Sequence, residues 1–426
     1  MPDTGVAVGI FAVTYAIIVS ERLHKTTAAL AGAVLMIAFR VVDQEEAFRA
    51  IDFNVIFLLA GMMMMVNVLG KTGVFQWMAI RSVKLAQGRP LRILIILSLV
   101  TAIASAFLDN VTTVVLIAPV TVFLAGSLGV SAVPFLISEA LASNIGGTAT
   151  LIGDPPNILI GSAADLDFVS FLVNVAPITL VILGVYLFLA SRMFSRQMET
   201  SPELQARVLA MDEREVITDP GLLRTSLVIL GLTIVGFFLH GALDYEPATV
   251  ALLGAAALLV VTRQDPHDIL RDVEWSTLFF FIGLFIVVAG VDKVGLLEDI
   301  GEGLADLTAG NRLATTFLVL WQSAVLSSIL NQIPYTASMI PVVRELTASL
   351  GGGSGSDNVL WWALVMGAGL GANLTVIAAA ANVFVANLGE QAGQRIPFWL
   401  FFRHGALVTV VSVTLATLYL WLRYLL

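Results

Sequence analysis

"NIGGTATLIGDPPN", residues 144–157, interrupts an apolar stretch with glycines, threonines, asparagines, an aspartate and two consecutive prolines. In a bilayer, a helix broken this way strands backbone N–H and C=O groups, which is tolerated only where the chain is buried in protein or lines a wet cavity. The fold therefore turns on whether the surroundings are membrane. Of the 426 residues 58% are hydrophobic and 12% charged, and apolar runs recur along the whole chain, as expected of an all-α polytopic membrane protein. The first run, Val6–Ser20, lacks the basic flank and small-residue cleavage pattern of a signal peptide and reads as a retained helix. There is no cysteine, which excludes disulfides, iron–sulfur clusters and thiolate metal sites, and no metal or cofactor is expected. A net charge of −9 argues against nucleic acid as a partner.

The chain repeats itself. "DFNVIFLLAGMMMMVNVLGKTG" from Asp52 matches "EWSTLFFFIGLFIVVAGVDKVG" from Glu274, an offset of 222 that also pairs Gly32 with Gly254, Asp43 with Asp265, Gly73 with Gly295 and Pro119 with Pro341. Past the loop Gly351–Ser356 the offset becomes 225, which sets Thr150 on Thr375 and Asn157 on Asn382. Residues 1–190 form the first repeat, with a helical hairpin over 91–127 and a broken helix over 133–163. A linker over 191–224 leads to the second repeat, 225–426, whose hairpin covers 313–350 and whose broken helix covers 359–388. The expectation is about 10 transmembrane helices plus two re-entrant hairpins and two broken helices. Each half crosses the membrane an odd number of times, so the repeats are inverted. Sixteen of the 22 lysines and arginines gather on the linker's side, Arg22, Lys25 and the runs 71–92 and 192–224 among them, against six on the other. That asymmetry sets the linker in the cytoplasm and both termini outside, in the periplasm of a bacterial inner membrane.

Inverted repeats with discontinuous helices are the signature of a secondary transporter whose substrate meets half-helix ends near the midplane. The candidate walls are Asn144–Asn157 and 369–382, facing hairpin tips at Asp109-Asn110 and Asn331-Gln332. Gly146 and Gly147 allow close backbone approach. Neutral donors and acceptors come from Asn110, Thr112, Asn144, Thr148, Thr150, Asn157, Asn331, Gln332, Asn373, Thr375 and Asn382. Asp109, Asp154 and Glu139 are candidate proton carriers. Asp154, just before Pro155-Pro156, also reads as a helix N-cap, and Asp109 could cap the arm from Val111. Asp109 leans toward function because its repeat partner is the neutral Asn331; the run Met62–Met65 points all round a helix and reads as packing. His240 and His404 fall near helix ends and read as interfacial.

"NIGGTATLIGDPPN" with the upstream "FLDNVTT" and the doubled hairpin plan resembles the ArsB-type arsenite permeases and the related melanosomal P protein of the ion transporter superfamily, over essentially the whole chain. The resemblance implies a carrier of about ten spans exporting arsenite or antimonite in exchange for protons, and it admits a soluble arsenite-stimulated ATPase as a partner on the cytoplasmic face. Sodium/proton antiporters and dicarboxylate-type anion permeases share the architecture. The superfamily's usual Ser-Asn-Thr tip is replaced here by Asp109-Asn110-Val111-Thr112 and Asn331-Gln332-Ile333-Pro334. Enzyme readings are weak. "LIGD" has leucine where an aspartyl intramembrane protease motif needs glycine, and Met65 stands at the first glycine position of the P-loop that "GKTG" suggests. With no intramembrane lysine or arginine read beside the acids, a neutral or cationic substrate is favoured over a polyanion.

Overall fold

A computed structural model describes residues 4–20, 22–213, 215–350 and 358–426. The Gly351–Ser356 loop and Arg214 of the linker lie outside the described residues. All regular structure among them is helical. The first repeat runs α1 (Thr4–Ser20), α2 (Lys25–Ala38), α3 (Gln44–Arg49), α4 (Phe53–Gly70) and α5 (Val74–Leu85). Its hairpin is α6 (Pro90–Phe107) and α7 (Asn110–Ser127), its broken helix α8 (Val133–Thr148) and α9 (Pro155–Ala164). A sharp bend of 110° leads from α9 into α10 (Phe168–Asn174), followed by α11 (Ala176–Phe194). The linker carries α12 (Pro202–Leu209). The second repeat follows the same order: α13 (Pro220–Leu239), α14 (Pro247–Thr262), α15 (Pro266–Arg271), α16 (Trp275–Lys293), α17 (Leu296–Leu307), the hairpin α18 (Arg312–Leu330) and α19 (Gln332–Ser349), the broken pair α20 (Val359–Gly371) and α21 (Ala380–Gln391), and α22 (Phe398–Leu420).

Among the described residues eight helices are long and apolar enough to cross a membrane alone, or nine if α9 and α10 count as one span. The tally differs from ten plus hairpins for a physical reason. The hairpin limbs α6, α7 and α18 are themselves 18 or 19 residues long, about 27 Å at 1.5 Å per residue, close to the hydrocarbon thickness. Conversely α2 has 14 residues, about 21 Å, and needs its flanking loops to complete a crossing. The short helices α3 and α15, which hydropathy did not reveal, are held by their caps: Asp43 closes a capping box with Glu46, and Asp265 accepts from His267 N at 2.9 Å.

The two repeats interlock through their first halves. α4 packs on α14 and α16 on α2, and equivalent glycines make both contacts possible. A Cβ on Gly61 would lie 2.8 Å from the Ala251 backbone, and one on Gly283 would lie 2.6 Å from the Ala29 backbone. Ala29 and Ala251 are themselves 222 apart, so the contact is built twice. The linker folds back on the first repeat: Thr218 N donates to Thr72 O at 3.1 Å, and Glu213 meets Arg81 at 3.0 Å and Lys84 at 3.2 Å. Two of the basic residues that read only as a topology signal thus also fasten the linker.

Each hairpin presses on its own broken helix through a second doubled glycine contact. Gly146 of α8 lies against the backbone of Ala102 in α6, and Gly371 of α20 against Ala324 in α18. A Cβ at Gly146 would overlap that backbone, which cannot give way as a side chain would. Gly146→Ala is therefore expected to destabilise the protein by about 1–3 kcal/mol through overpacking, read as a fall in thermal midpoint in detergent. Gly126→Ala, where nothing stands within 4 Å, should be neutral or slightly stabilising, as helix propensity dictates. Equal behaviour of the two variants would refute the close-contact account.

Candidate functional site

The break after α8 is closed by Asn157, on the first turn of α9. Its Nδ2 donates to the carbonyls of Gly147 at 3.0 Å, Thr148 at 3.3 Å and Thr150 at 2.8 Å. These carbonyls belong to the last turn of α8 and the unwound chain, where helical donors run out. Asn382 repeats the device, donating to Ala372 O at 2.7 Å and Thr375 O at 2.9 Å. Hydroxyls then tie each break to its hairpin: Thr150 donates to Ala106 O, and Thr375 donates to Ser328 O at 2.5 Å. Ser105 reaches Ser143 O at 2.7 Å, and its equivalent Ser327 reaches Ala368 O at 3.2 Å. Several carbonyls of the unwound segments thus find donors inside the protein, as membrane depth requires.

At the hairpin tips the two caps are equivalent. Asp109 Oδ1 accepts from Val111 N and Thr112 N, each at 2.9 Å, and Asn331 Oδ1 accepts from Ile333 N at 3.2 Å. Asn331 Nδ2 also donates to Ile377 O at 3.1 Å, beside the second break. Asp154 behaves differently from its sequence reading. It makes no side-chain cap on α9. Its carboxylate instead accepts from Gln332 Nε2 at 3.0 and 3.1 Å and from Asn110 Nδ2 at 3.0 Å, so it touches the tips of both hairpins. Of the two aspartates, Asp109 is the cap and Asp154 sits in the centre.

Around it runs a connected amide network. Asn144 Oδ1 accepts from Asn110 Nδ2 at 3.2 Å, while Asn144 Nδ2 donates to Asn373 Oδ1 at 3.1 Å and Asn382 Oδ1 at 3.0 Å. Asn110, Asn144, Asp154, Gln332, Asn373 and Asn382 are all at most 2% exposed. Three amide atoms in it have no protein partner: Asn110 Oδ1, Gln332 Oε1 and Asn373 Nδ2. A cavity of about 50 Å³ opens beside Asn110 and Gln332, lined also by Asp109 and Asp154 together with Met63, Lys25, Glu274 and Thr277.

The sequence candidates therefore divide. Asn110, Asn144, Asp154, Gln332, Asn373 and Asn382 converge on one site. Thr148, whose hydroxyl donates to Asn144 O at 2.8 Å, and Gly146, Gly147, Thr150, Asn157 and Thr375 build the walls. Thr112 and Asn331 stand at the tips. Glu139 lies apart: it accepts from the Thr121 hydroxyl at 2.6 Å inside the first hairpin and lines none of this cavity. Lys25, Glu274 and Thr277 were missed. Lys25 looked like a loop charge, but it opens α2 with its Nζ 5.3 Å from the centre of the Phe280 ring, at the rim of the site. The premise that no lysine or arginine stands near the acids is corrected by it. The one available signal was the match of Asp52 with Glu274, which marked that helix start as doubled.

Comparison with known proteins agrees with a transporter. The profile of the citrate transporter family, CitMHS, matches residues 15–367. The chain is 46% identical to a "46 kDa membrane protein" of Mycobacterium leprae over 99% of both chains, and 46% identical to an uncharacterized transporter of Mycobacterium tuberculosis over 98% of both. It is 33% identical to the Homo sapiens P protein over 97% of this chain and 59% of that one. Two solved structures share the fold: the YdaH transporter of Alcanivorax borkumensis, at 13% identity and a TM-score of 0.58 over 96% of this chain and 98% of that one, and MtrF of Neisseria gonorrhoeae, at 12% identity and 0.63 over 93% and 85%. The chain is thus a multi-pass membrane transporter and belongs to the CitMHS citrate transporter family.

Proposed function

We propose that this transporter is a proton-coupled carrier that exports arsenite or antimonite across a bacterial inner membrane, with inverted repeats, a cytoplasmic linker and both termini periplasmic. The observation that carries the substrate class is the set of unpaired amide atoms around Asp154. Asn110 Oδ1 and Gln332 Oε1, of two residues that line the cavity, are acceptors without donors. Each such buried group costs on the order of 1–3 kcal/mol until something fills it. At neutral pH arsenite is mainly the uncharged trihydroxide, whose three hydroxyls both donate and accept. A cavity of about 50 Å³ suits a solute of a few non-hydrogen atoms. Met63, one of the four consecutive methionines, lines the cavity and offers arsenic a soft thioether contact. No cysteine is present to trap it.

Asp154 is the proposed proton carrier. Ionised, it draws both hairpin tips together through Asn110 and Gln332; protonated, it loses charge and an acceptor, and the tips are held less firmly. A soluble ATPase at the cytoplasmic face is a proposed partner. The second reading is carriage of a carboxylate such as the citrate in the family's description, favoured by Lys25 at the rim. Against it, a carboxylate would face Asp109, Asp154 and two acceptor oxygens. The third, sodium/proton antiport, draws on the same oxygens as ligands.

In everted vesicles energised by respiration, arsenite or antimonite should accumulate, a protonophore should collapse that accumulation, and sodium should change it little. Citrate accumulation without arsenite would transfer the reading to the carboxylate carrier. Sodium-triggered proton release without arsenite accumulation would transfer it to the antiporter.

A further inference from the structure

Two other cavities are lined by equivalent positions of the two repeats. One, of about 460 Å³, includes Ile18, Val19, Leu23, Phe280, Val383 and Asn387. The other, of about 330 Å³, includes His240, Gly241, Tyr245, Leu58, Ile158 and Ser162. The offset of 222 carries Ile18 onto His240, Val19 onto Gly241, Leu23 onto Tyr245 and Leu58 onto Phe280, and the offset of 225 carries Ile158 onto Val383 and Ser162 onto Asn387. They are the same cavity built twice.

Their relation to the site differs. The larger cavity shares Lys25, Val111, Glu274 and Ala380 with the small cavity beside Asp154 and takes in the second hairpin's tip at Asn331. The smaller shares no lining residue with it. Val111 and Val115 of α7 line the larger cavity, whereas their equivalents Ile333 and Ala337 of α19 line neither and are 7% and 6% exposed. One cavity therefore adjoins the site, whereas its twin is separated from it.

In the separated cavity a histidine side chain ties one repeat to the other. His240 Nδ1–H donates to Tyr245 O at 2.9 Å, and Nε2 accepts from Phe168 N at 3.3 Å. The ring thus joins the turn between α13 and α14 to the start of α10, across the two repeats. Its equivalent in the open cavity is Ile18, which has no polar atom in its side chain to bridge with.

We propose that the cavity around Ser162 and His240 is the second vestibule of the transport path, closed in this conformation and fastened by His240, and that it opens as the cavity around Asn387 closes. The proposal rests on the carrier reading above but not on the identity of the substrate. By the distribution of lysine and arginine, the closed vestibule faces the exterior and the open one the cytoplasm. Asp165, Asp167, Asp244 and Glu246 line the closed one, so the species passing through it is uncharged or cationic rather than an anion.

The cysteine-free chain makes the test direct. Ser162→Cys and Asn387→Cys, each introduced singly, are treated with a membrane-impermeant maleimide in right-side-out and everted vesicles. The expected result is reaction of the Ser162 variant from outside and of the Asn387 variant from the cytoplasmic face. Adding His240→Ala should raise the first rate and lower the second severalfold, and His240→Gln, which can keep one of the two bonds, should shift both in the same senses by less. Reaction of both cysteines from one face would overturn the proposal. So would a His240 change that speeds labelling at Ser162 while leaving Asn387 untouched, since the cavity would then be a surface pocket uncoupled from transport. Labelling needs no substrate, so failure of arsenite transport would leave this result intact and is separately readable.

Discussion

Replacing Asp154 with asparagine is expected to abolish gradient-driven accumulation while leaving folded protein and measurable exchange at equal pH. The carboxylate receives amide donors from both hairpins at once, Asn110 at 3.0 Å and Gln332 at 3.0 and 3.1 Å. Asparagine keeps the shape but presents one acceptor and an NH₂, which faces donors it cannot pair with. A hydrogen bond to a charged group contributes about 1.5–3 kcal/mol, so losing one corresponds to roughly 10- to 100-fold in the equilibrium it supports. The larger consequence is qualitative: a side chain that cannot ionise cannot carry the coupled proton. Asp109→Asn is the contrast. Asp109 caps α7, and asparagine is about as good an N-cap as aspartate, so that variant should retain most of the gradient-driven activity. Accumulation in Asp154→Asn within about twofold of the parent protein, well under the tenfold of one lost charged bond, would move the proton to Asp109 or Glu139.

The contrast between these aspartates marks where sequence reading stopped. Both precede a helix start, and the rule that N-caps favour aspartate applies equally to each. What separates them is tertiary: Asp154 is met by Gln332, 178 positions away, and no local pattern encodes that meeting. The repeat was legible because its devices are doubled residue for residue. Asn157 and Asn382, Thr150 and Thr375, and Gly146 and Gly371 perform the same tasks in both halves, and the offset announced them. Lys25 was not legible, because its equivalent Pro247 carries no charge and its position just before an apolar run fits a topology signal equally well. The short capped helices α3 and α15 escaped because six residues are too few for a periodicity to develop. The bend between α9 and α10 escaped because a plain loop and a reversal of the helix axis look alike in composition.

Where the repeats depart from each other is where the site lies. Asp154 aligns with Ala379, Asn144 with Gly369 and Thr148 with Asn373, so the doubled scaffold holds a polar centre drawn unequally from its halves. Gly369 has no side chain to contribute and instead admits Thr148 of the other repeat against its backbone. A symmetric pair of acids would put two buried carboxylates side by side, and their repulsion would raise the free energy of any state in which both are ionised. Ala379 at the equivalent position avoids this, so Asp154 is met by the amides of Asn110 and Gln332, with Asp109 and Glu274 along the cavity wall.

Asn144 is the joint between the halves, and its loss is expected to do the greatest combined damage. Asn144→Ala should reduce equal-pH exchange to background and lower the thermal midpoint as well. Its amide accepts from Asn110 at 3.2 Å and donates to Asn373 at 3.1 Å and Asn382 at 3.0 Å, so it links the first hairpin to the second repeat's break. Alanine removes these bonds and a longer one to Ala372 O at 3.4 Å, and leaves their partners buried. Asn373 is the most affected, because its Nδ2 already lacks a partner and its Oδ1 would then lack one too. At about 1–3 kcal/mol per stranded polar group, two or three groups amount to several kcal/mol, a sizeable part of the roughly 5–15 kcal/mol that holds a typical protein folded. Asn373→Ala should be milder, since it removes one accepted bond and one donor that was already unpaired. Asn144→Asp keeps the shape and the acceptor toward Asn110, but it replaces the donor toward Asn373 and Asn382 with an oxygen facing two acceptors and adds another carboxylate near Asp154, so exchange should fail. Exchange and thermal midpoint measured across the three variants should rank Asn144→Ala as the most damaging in stability and Asn373→Ala as the least damaging in both. If Asn373→Ala instead proves as damaging as Asn144→Ala, the two breaks are held together by Asn373 and the substrate-facing amides hang from the second repeat.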